Sequence, residues 1–201
     1  IVMSVMNGFK TDLTNKILGL NPHVVIQPNS FQINEQYISR IKEDFKDITI
    51  SKSYFGEAIA ISNDKAKGII LKGVDKNEKN IVEFFDNFNS QGNLKNFDSN
   101  EVLIGSELAY NFNLKIGDSI NIMTSSFVGT PLGNLPKQEN FKVGAIFTTG
   151  FIEFDQNVIF SNIENVLSIF DKESKDQNIE IYLKDPLKAN FYKDEIQNLN
   201  E

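Results

Sequence analysis

The sequence predicts an α+β fold, and two observations carry that expectation. Short runs rich in β-branched and aromatic residues alternate with segments of helical spacing. They do so without sustained strand–helix–strand periodicity, which favours mixed sheets over a doubly wound parallel sheet. The chain is also long and apolar enough to build such a core. It has 201 residues, 40% hydrophobic and 11% aromatic with 17 Phe, which suits one domain or two small subdomains and excludes extended disorder.

Residues 1 to 20 place Val2, Val5, Met6, Phe9, Leu13, Ile17, Leu18 and Leu20 at intervals of three and four, the spacing of an amphipathic helix. Its first turns are apolar nearly all round and the stripe begins at Lys10, as at the outer end of a helix leaving lipid for water. The chain opens with Ile1 and Val2, and is read as a fragment. Within it no run approaches the roughly 18 apolar residues of a membrane span. Asn21 and Pro22 end the helix, and HVVIQP reads as a strand closed by Pro28. Tyr37, Ile38, Ile41 and Phe45 mark a helix over 34–46, followed by a strand at DITISKS.

YFGEAIAIS and KGIILKGVD are expected to form a hairpin with a loop of several residues, NDKAKG. Residues 79–88 have helical spacing, and the polar run 89–100 reads as a loop or subdomain boundary. EVLIGSELAYNFNLKIGDSINIM parses as a strand, a helix capped by Ser106, a turn at KIGD and a second strand. TSSFVGTPLGNLPKQEN, residues 124–140, reads as a loop. FKVGAIFTTG and FDQNVIFS read as strands, IENVLSIF as a helix, QNIEIYLKD as a strand, and 185–199 as a final helix with Pro186 in its first turn.

Composition excludes several functions. Lys plus Arg is 20 and Asp plus Glu is 27, so 20 − 27 = −7, and Arg40 is the sole arginine. Nucleic-acid binding is not expected from such a chain. There is no cysteine, which removes disulfides, thiol nucleophiles and zinc–thiolate sites and fits an oxidising compartment as well as a reducing one. His23 is the single histidine, too few for a multi-histidine metal site, and its place after Pro22 suits a satisfied turn. No phosphate loop is present. DKNEKN from Asp75 lacks the ligands and glycine of a calcium loop. Glu153 and Asp155 flank Phe154 in a strand-like context that puts both acids on one face. They read as a solvated sheet face or a fold-specific hydrogen bond, with a secreted enzyme using them as an acid pair as a third-ranked alternative. No cofactor and no metal are expected.

Six segments carry a family resemblance: SVMNGF (Ser4 to Phe9), ILGLNPHV (Ile17 to Val24), IGSELA (Ile104 to Ala109), LKIGDSINIM (Leu114 to Met123), TPLGNLP (Thr130 to Pro136) and IFTTGFIEFD (Ile146 to Asp155). In order and content they resemble the LolC/LolE permeases of the lipoprotein-releasing (Lol) ABC transporter, over roughly residues 1 to 160. The resemblance implies a periplasmic domain of MacB/FtsX-like type. Residues 1–21 would be the end of the first transmembrane helix and its stalk, 22–95 with 163–201 a Porter-like α+β part, and 96–162 an inserted Sabre-like β-rich part. It also implies a bacterial inner-membrane protein with this domain in the periplasm, without catalysis of its own. Its partners would be a separate cytoplasmic ATPase subunit, a second permease subunit, lipoprotein substrates and a LolA-like periplasmic carrier.

In carrier-recruiting members a β-hairpin loop, the Hook, bears a TPxGxxP element. Here it would span 125–138, with Thr130, Pro131, Leu132, Gly133, Asn134, Leu135 and Pro136 as the motif. The prolines limit the entropy lost on docking, Gly133 permits a reversal, and Leu132 and Leu135 offer apolar groups. A neighbouring polar patch, the Pad, maps to Gln138, Asn121 and Glu139. The last two stand where the family pattern has Arg, so this chain lacks the positive charges of that contact. A related MacB/FtsX-type mechanotransmission domain, driving efflux or a cell-wall hydrolase, is the alternative, and TPLGNLP discriminates against it.

Overall fold

The computed structural model describes residues 21–28, 35–75, 89–92, 100–131 and 133–199. The helices expected over 1–20 and 79–88, and all but the first residue of the run from Asp75 to Asn80, lie outside these residues. The fold is α+β, as expected. It divides into two compact units, one up to Ser51 together with Asn178 onward, and one over Lys52–Gln177.

In the first unit, β1 (Val24–Ile26) pairs antiparallel with β9 (Asn178–Leu183), Val24 facing Ile181. Helix α1 (Glu35–Asp44) buries Ile38 and Ile41, three residues apart and hence on one face. Helix α5 (Ala189–Asn198) buries Ile196. A 3-10 turn, Pro186–Lys188, precedes it, with Asp185 accepting from the Leu187 amide at 3.2 Å. His23 is a satisfied turn residue, its Nδ1 accepting from the Leu183 amide at 2.8 Å.

In the second unit, six strands close into a barrel. β2 (Ile48–Ser62) enters it at Lys52 and pairs antiparallel with β3 (Lys65–Val74). β3 runs parallel to β8 (Val158–Asn162), which is antiparallel to β5 (Glu101–Gly105). β5 is parallel to β7 (Gly133–Thr148), β7 antiparallel to β6 (Ser119–Thr130), and β6 returns to β2. The short β4 (Asn89–Gly92) adds to β7. Helices α2 (Ser106–Phe112) and α4 (Ile163–Ile169) share the core with the barrel residues Leu71, Ile104, Ile120, Ile122 and Phe141.

The β-rich unit over Lys52–Gln177 takes in β2 and β3, which supply the partners that β6 and β8 need for closure. Several expectations are corrected. DITISKS and YFGEAIAIS form one strand, and the β2–β3 turn has only two residues, Asn63 and Asp64, at φ 49° and 60°. Asn and Asp tolerate that left-handed pair, whose twist matches the flanking strands. Ser106 is the first helical residue and Gly105 holds the cap position. The polar run from 89 contains a strand because β7 presents an edge to it. FDQN is not a strand but part of helix α3 (Ile152–Asn157). The stretch expected as a loop, 124–140, is mostly the strands β6 and β7.

Candidate functional site

β6 keeps its pairing with β2 as far as Thr124, opposite Ala58, and β7 meets β5 only from Lys142 onward. Between those limits β6 and β7 pair, among the described residues, only with each other: Phe127 with Pro136, Val128 with Leu135, Gly129 with Asn134 and Thr130 with Gly133. The result is a two-stranded arm standing off the barrel. The ladder shifts register between Met123 and Phe127. Three residues of β6, Thr124 to Ser126, there face the single residue Lys137 of β7. Such a bulge bends the strand and increases its twist.

The tip is made by the motif. Only Pro131 and Leu132 separate the two strands. Thr130 Oγ1 donates to the Gly133 carbonyl at 2.7 Å. Gly133 lies at φ +119° with open space where a Cβ would stand, so backbone conformation rather than crowding calls for glycine there. Pro136 is tolerated inside a strand because, among the described residues, no third strand asks the arm for its missing amide hydrogen. Leu132 falls outside the described residues.

Opposite residues of a ladder share a face, so Phe127 with Pro136 lies on one side of the arm and Val128 with Leu135 on the other. Phe127 is 59% exposed, Val128 46% and Leu135 53%. Both faces therefore present apolar groups to solvent, which a strand packed on its own core does not do. Phe127 and Val128 are absent from the motif-based expectation. Their signal was the aromatic and β-branched pair directly before GTPLG, hidden by the glycine and serine around it.

The three Pad positions do not form one patch. Asn121 faces Asn140 and Met123 faces Gln138, so Asn121 and Gln138 share the outer side. Glu139 faces the buried Ile122 and lies on the opposite side, half-buried. Asn121 Oδ1 is buried and has no hydrogen-bond partner among the described residues.

The two acids do not share a face, contrary to expectation. Glu153 is exposed on α3, whereas Asp155 is 2% exposed. Asp155 Oδ1 accepts from the Thr149 amide at 3.0 Å and from Thr149 Oγ1 at 2.6 Å, the fold-specific hydrogen bond that was one of the expectations. Among the described residues no cluster of three or more His, Cys, Asp and Glu could hold a metal ion. None of the described helices is long and apolar enough to cross a membrane.

The family of MacB-like periplasmic core domains matches residues 1–199, nearly the whole sequence. The chain belongs to that family. Among relatives of this periplasmic core domain, the lipoprotein-releasing system transmembrane protein LolC of Neisseria meningitidis is 23% identical over 194 residues, covering 94% of this chain and 46% of that protein. The LolC of Buchnera aphidicola from Schizaphis graminum is 28% identical over 212 residues, covering 100% of this chain and 50% of its own length. The chain thus spans about half the length of these relatives. Among solved structures, the periplasmic region of MacB from Actinobacillus actinomycetemcomitans superposes with a TM-score of 0.52 at 14% identity, covering 87% of this chain and 80% of that one. That likeness speaks to the fold.

Proposed function

We propose that this periplasmic core domain belongs to the membrane subunit of an ABC transporter that releases lipoproteins from the bacterial inner membrane, and that its arm, residues 125–138, hands them to a periplasmic carrier. The observation that carries the reading is the arm itself. A ribbon bearing TPLGNLP projects apolar side chains from both faces, and among the described residues no core covers them. The similarity to LolC proteins over most of the chain supports the lipoprotein-releasing assignment. The role is mechanical and non-catalytic. A separate ATPase subunit supplies ATP hydrolysis, a second permease subunit completes the membrane part, and the domain lies in the periplasm.

Docking works by desolvation and preorganisation. Burying a side chain such as Leu135 in a partner contributes roughly 1.5 to 3 kcal/mol, and the proline-bounded tip loses little entropy on being fixed. Asn121 and Gln138 flank the arm on one side, and Glu139 lies on the other. The test is a titration of the carrier from the same organism with this domain, comparing the parent chain with Leu135→Glu. Saturable binding that the substitution weakens, with the melting temperature retained, supports the reading. Absence of binding by the parent chain withdraws the carrier role and leaves the mechanotransmission alternative.

A further inference from the structure

We infer that Thr124 and Lys137 are positioning residues that lock the exit direction of the arm onto the C-terminal end of α4; this rests on the arm being the docking element. The two sit at the bulge, one on each strand, where β6 has made its last pair with β2. Thr124 is 5% exposed and its Oγ1 donates to the Ile169 carbonyl at 2.9 Å. Lys137 Nζ donates to the Ser168 carbonyl at 2.6 Å and lies 3.4 Å from Asp171 Oδ1. Consecutive carbonyls of one helical end are thus held by both strands of the arm.

The chemistry of that end suits the grip. The last carbonyls of a helix lack intrahelical partners and carry partial negative charge, which favours a cation beside them. The anchor is also firm. At Gly73 of β3 an added Cβ would come within 2.8 Å of the Val166 Cβ, so α4 lies directly on the strand with no slack between them. A two-stranded ribbon alone is marginally stable and free to swing. Two attachments on opposite strands, at the base where the ladder is broken, remove that freedom before any partner arrives. The bulge would be a hinge if left unheld; here it is a bracket.

The test uses the absence of native cysteine. Spin labels are placed at Asn134→Cys on the arm and Tyr110→Cys on α2, where Tyr110 is 83% exposed. The distance distribution is then read without any partner. The parent chain is expected to give one narrow distribution. Lys137→Met with Thr124→Val should broaden it about twofold while the barrel stays folded, and Lys137→Arg should stay narrow. Lys137→Met alone should broaden it less, and it keeps the test open if the double variant does not fold. An unchanged distribution in both variants overturns the inference, as does a lowered melting temperature with the distribution still narrow, which marks the contacts as merely structural. Carrier titration separates the two readings. A carrier affinity about threefold weaker in Lys137→Met and restored in Lys137→Arg supports the bracket. A parent chain that does not bind the carrier removes the docking role, whereas the bracket is still decided by the width of the distribution.

Discussion

The β-rich unit contains two hairpins that obey the same ladder rules and end differently. In β2–β3 ten residues of each strand pair, from Ser53 with Val74 to Ser62 with Lys65. The inward side chains Ala58, Ala60, Ile69 and Leu71 are buried in the barrel core. Its turn is tied down as well, with Asn63 Nδ2 donating to the Phe112 carbonyl at the end of α2 at 2.8 Å. In β6–β7 the strands run past the barrel. Beyond Thr124 both faces expose apolar side chains, and at the tip Thr130 Oγ1 donates to the Gly133 carbonyl. The first hairpin spends its apolar residues on the fold, whereas the second holds Phe127, Val128 and Leu135 in reserve. Buried and exposed apolar groups are thus separated along one sheet, and the helix ends at α2 and α4 accept hydrogen bonds from each hairpin.

The largest effect expected from that contrast is in the first hairpin. Leu71→Ala, at a fully buried position, should cost about 2 to 5 kcal/mol in urea unfolding; a cost below about 1 kcal/mol would mean that β3 is not part of the core as described. Leu135→Glu on the arm should do the reverse. Its melting should match the parent within about 0.5 kcal/mol, while carrier affinity falls tenfold or more, about 1.4 kcal/mol. Steep destabilisation by Leu135→Glu would erase the distinction between the hairpins.

A smaller effect tests the turn. Asn63→Val forces a β-branched residue to φ 49° and removes the bond to Phe112, so unfolding experiments should show a loss of about 1 to 2 kcal/mol. Asn63→Gly should recover part of it by relieving the backbone. The smallest effect lies outside both hairpins, in the first unit. There Lys184 hydrogen-bonds Asp47 at 2.5 Å and lowers the carboxyl below its ordinary 3.8, first through that bond and then through its charge, while the lysine is raised in turn. A depressed carboxyl contributes stability above its unfolded value that is lost as pH falls through the folded one; the raised lysine contributes below its ordinary 10.5 and loses it as pH rises further. Asp47→Asn should therefore flatten the acid side of the stability profile slightly, an effect erased by salt because the pair is exposed. A large or salt-independent change would show that this pair does more than decorate the surface.

Elements whose pattern is local were legible before any tertiary contact was known. The spacing of Ile38 and Ile41 specified α1, which buries one face, and β-branched runs specified β1, β3 and β9, the last buried on both faces. TPLGNLP was legible as a reversal because Pro131 fixes φ and Gly133 admits a positive φ without help from the rest of the fold. The arm was not legible as strand. Periodicity reports burial, and a ribbon with two exposed apolar faces buries neither. The remaining features arise from contacts between distant segments. Barrel closure depends on β2 meeting β6 and β3 meeting β8, pairings between residues far apart in the chain. The unequal count of residues around Lys137 comes from a register shift that no local pattern announces. The acid pair was separated because α3 turned Asp155 inward onto Thr149 and left Glu153 outside. Glu139 parted from Asn121 and Gln138 for a similar reason: in a ladder, a difference of one residue in register is a difference of face.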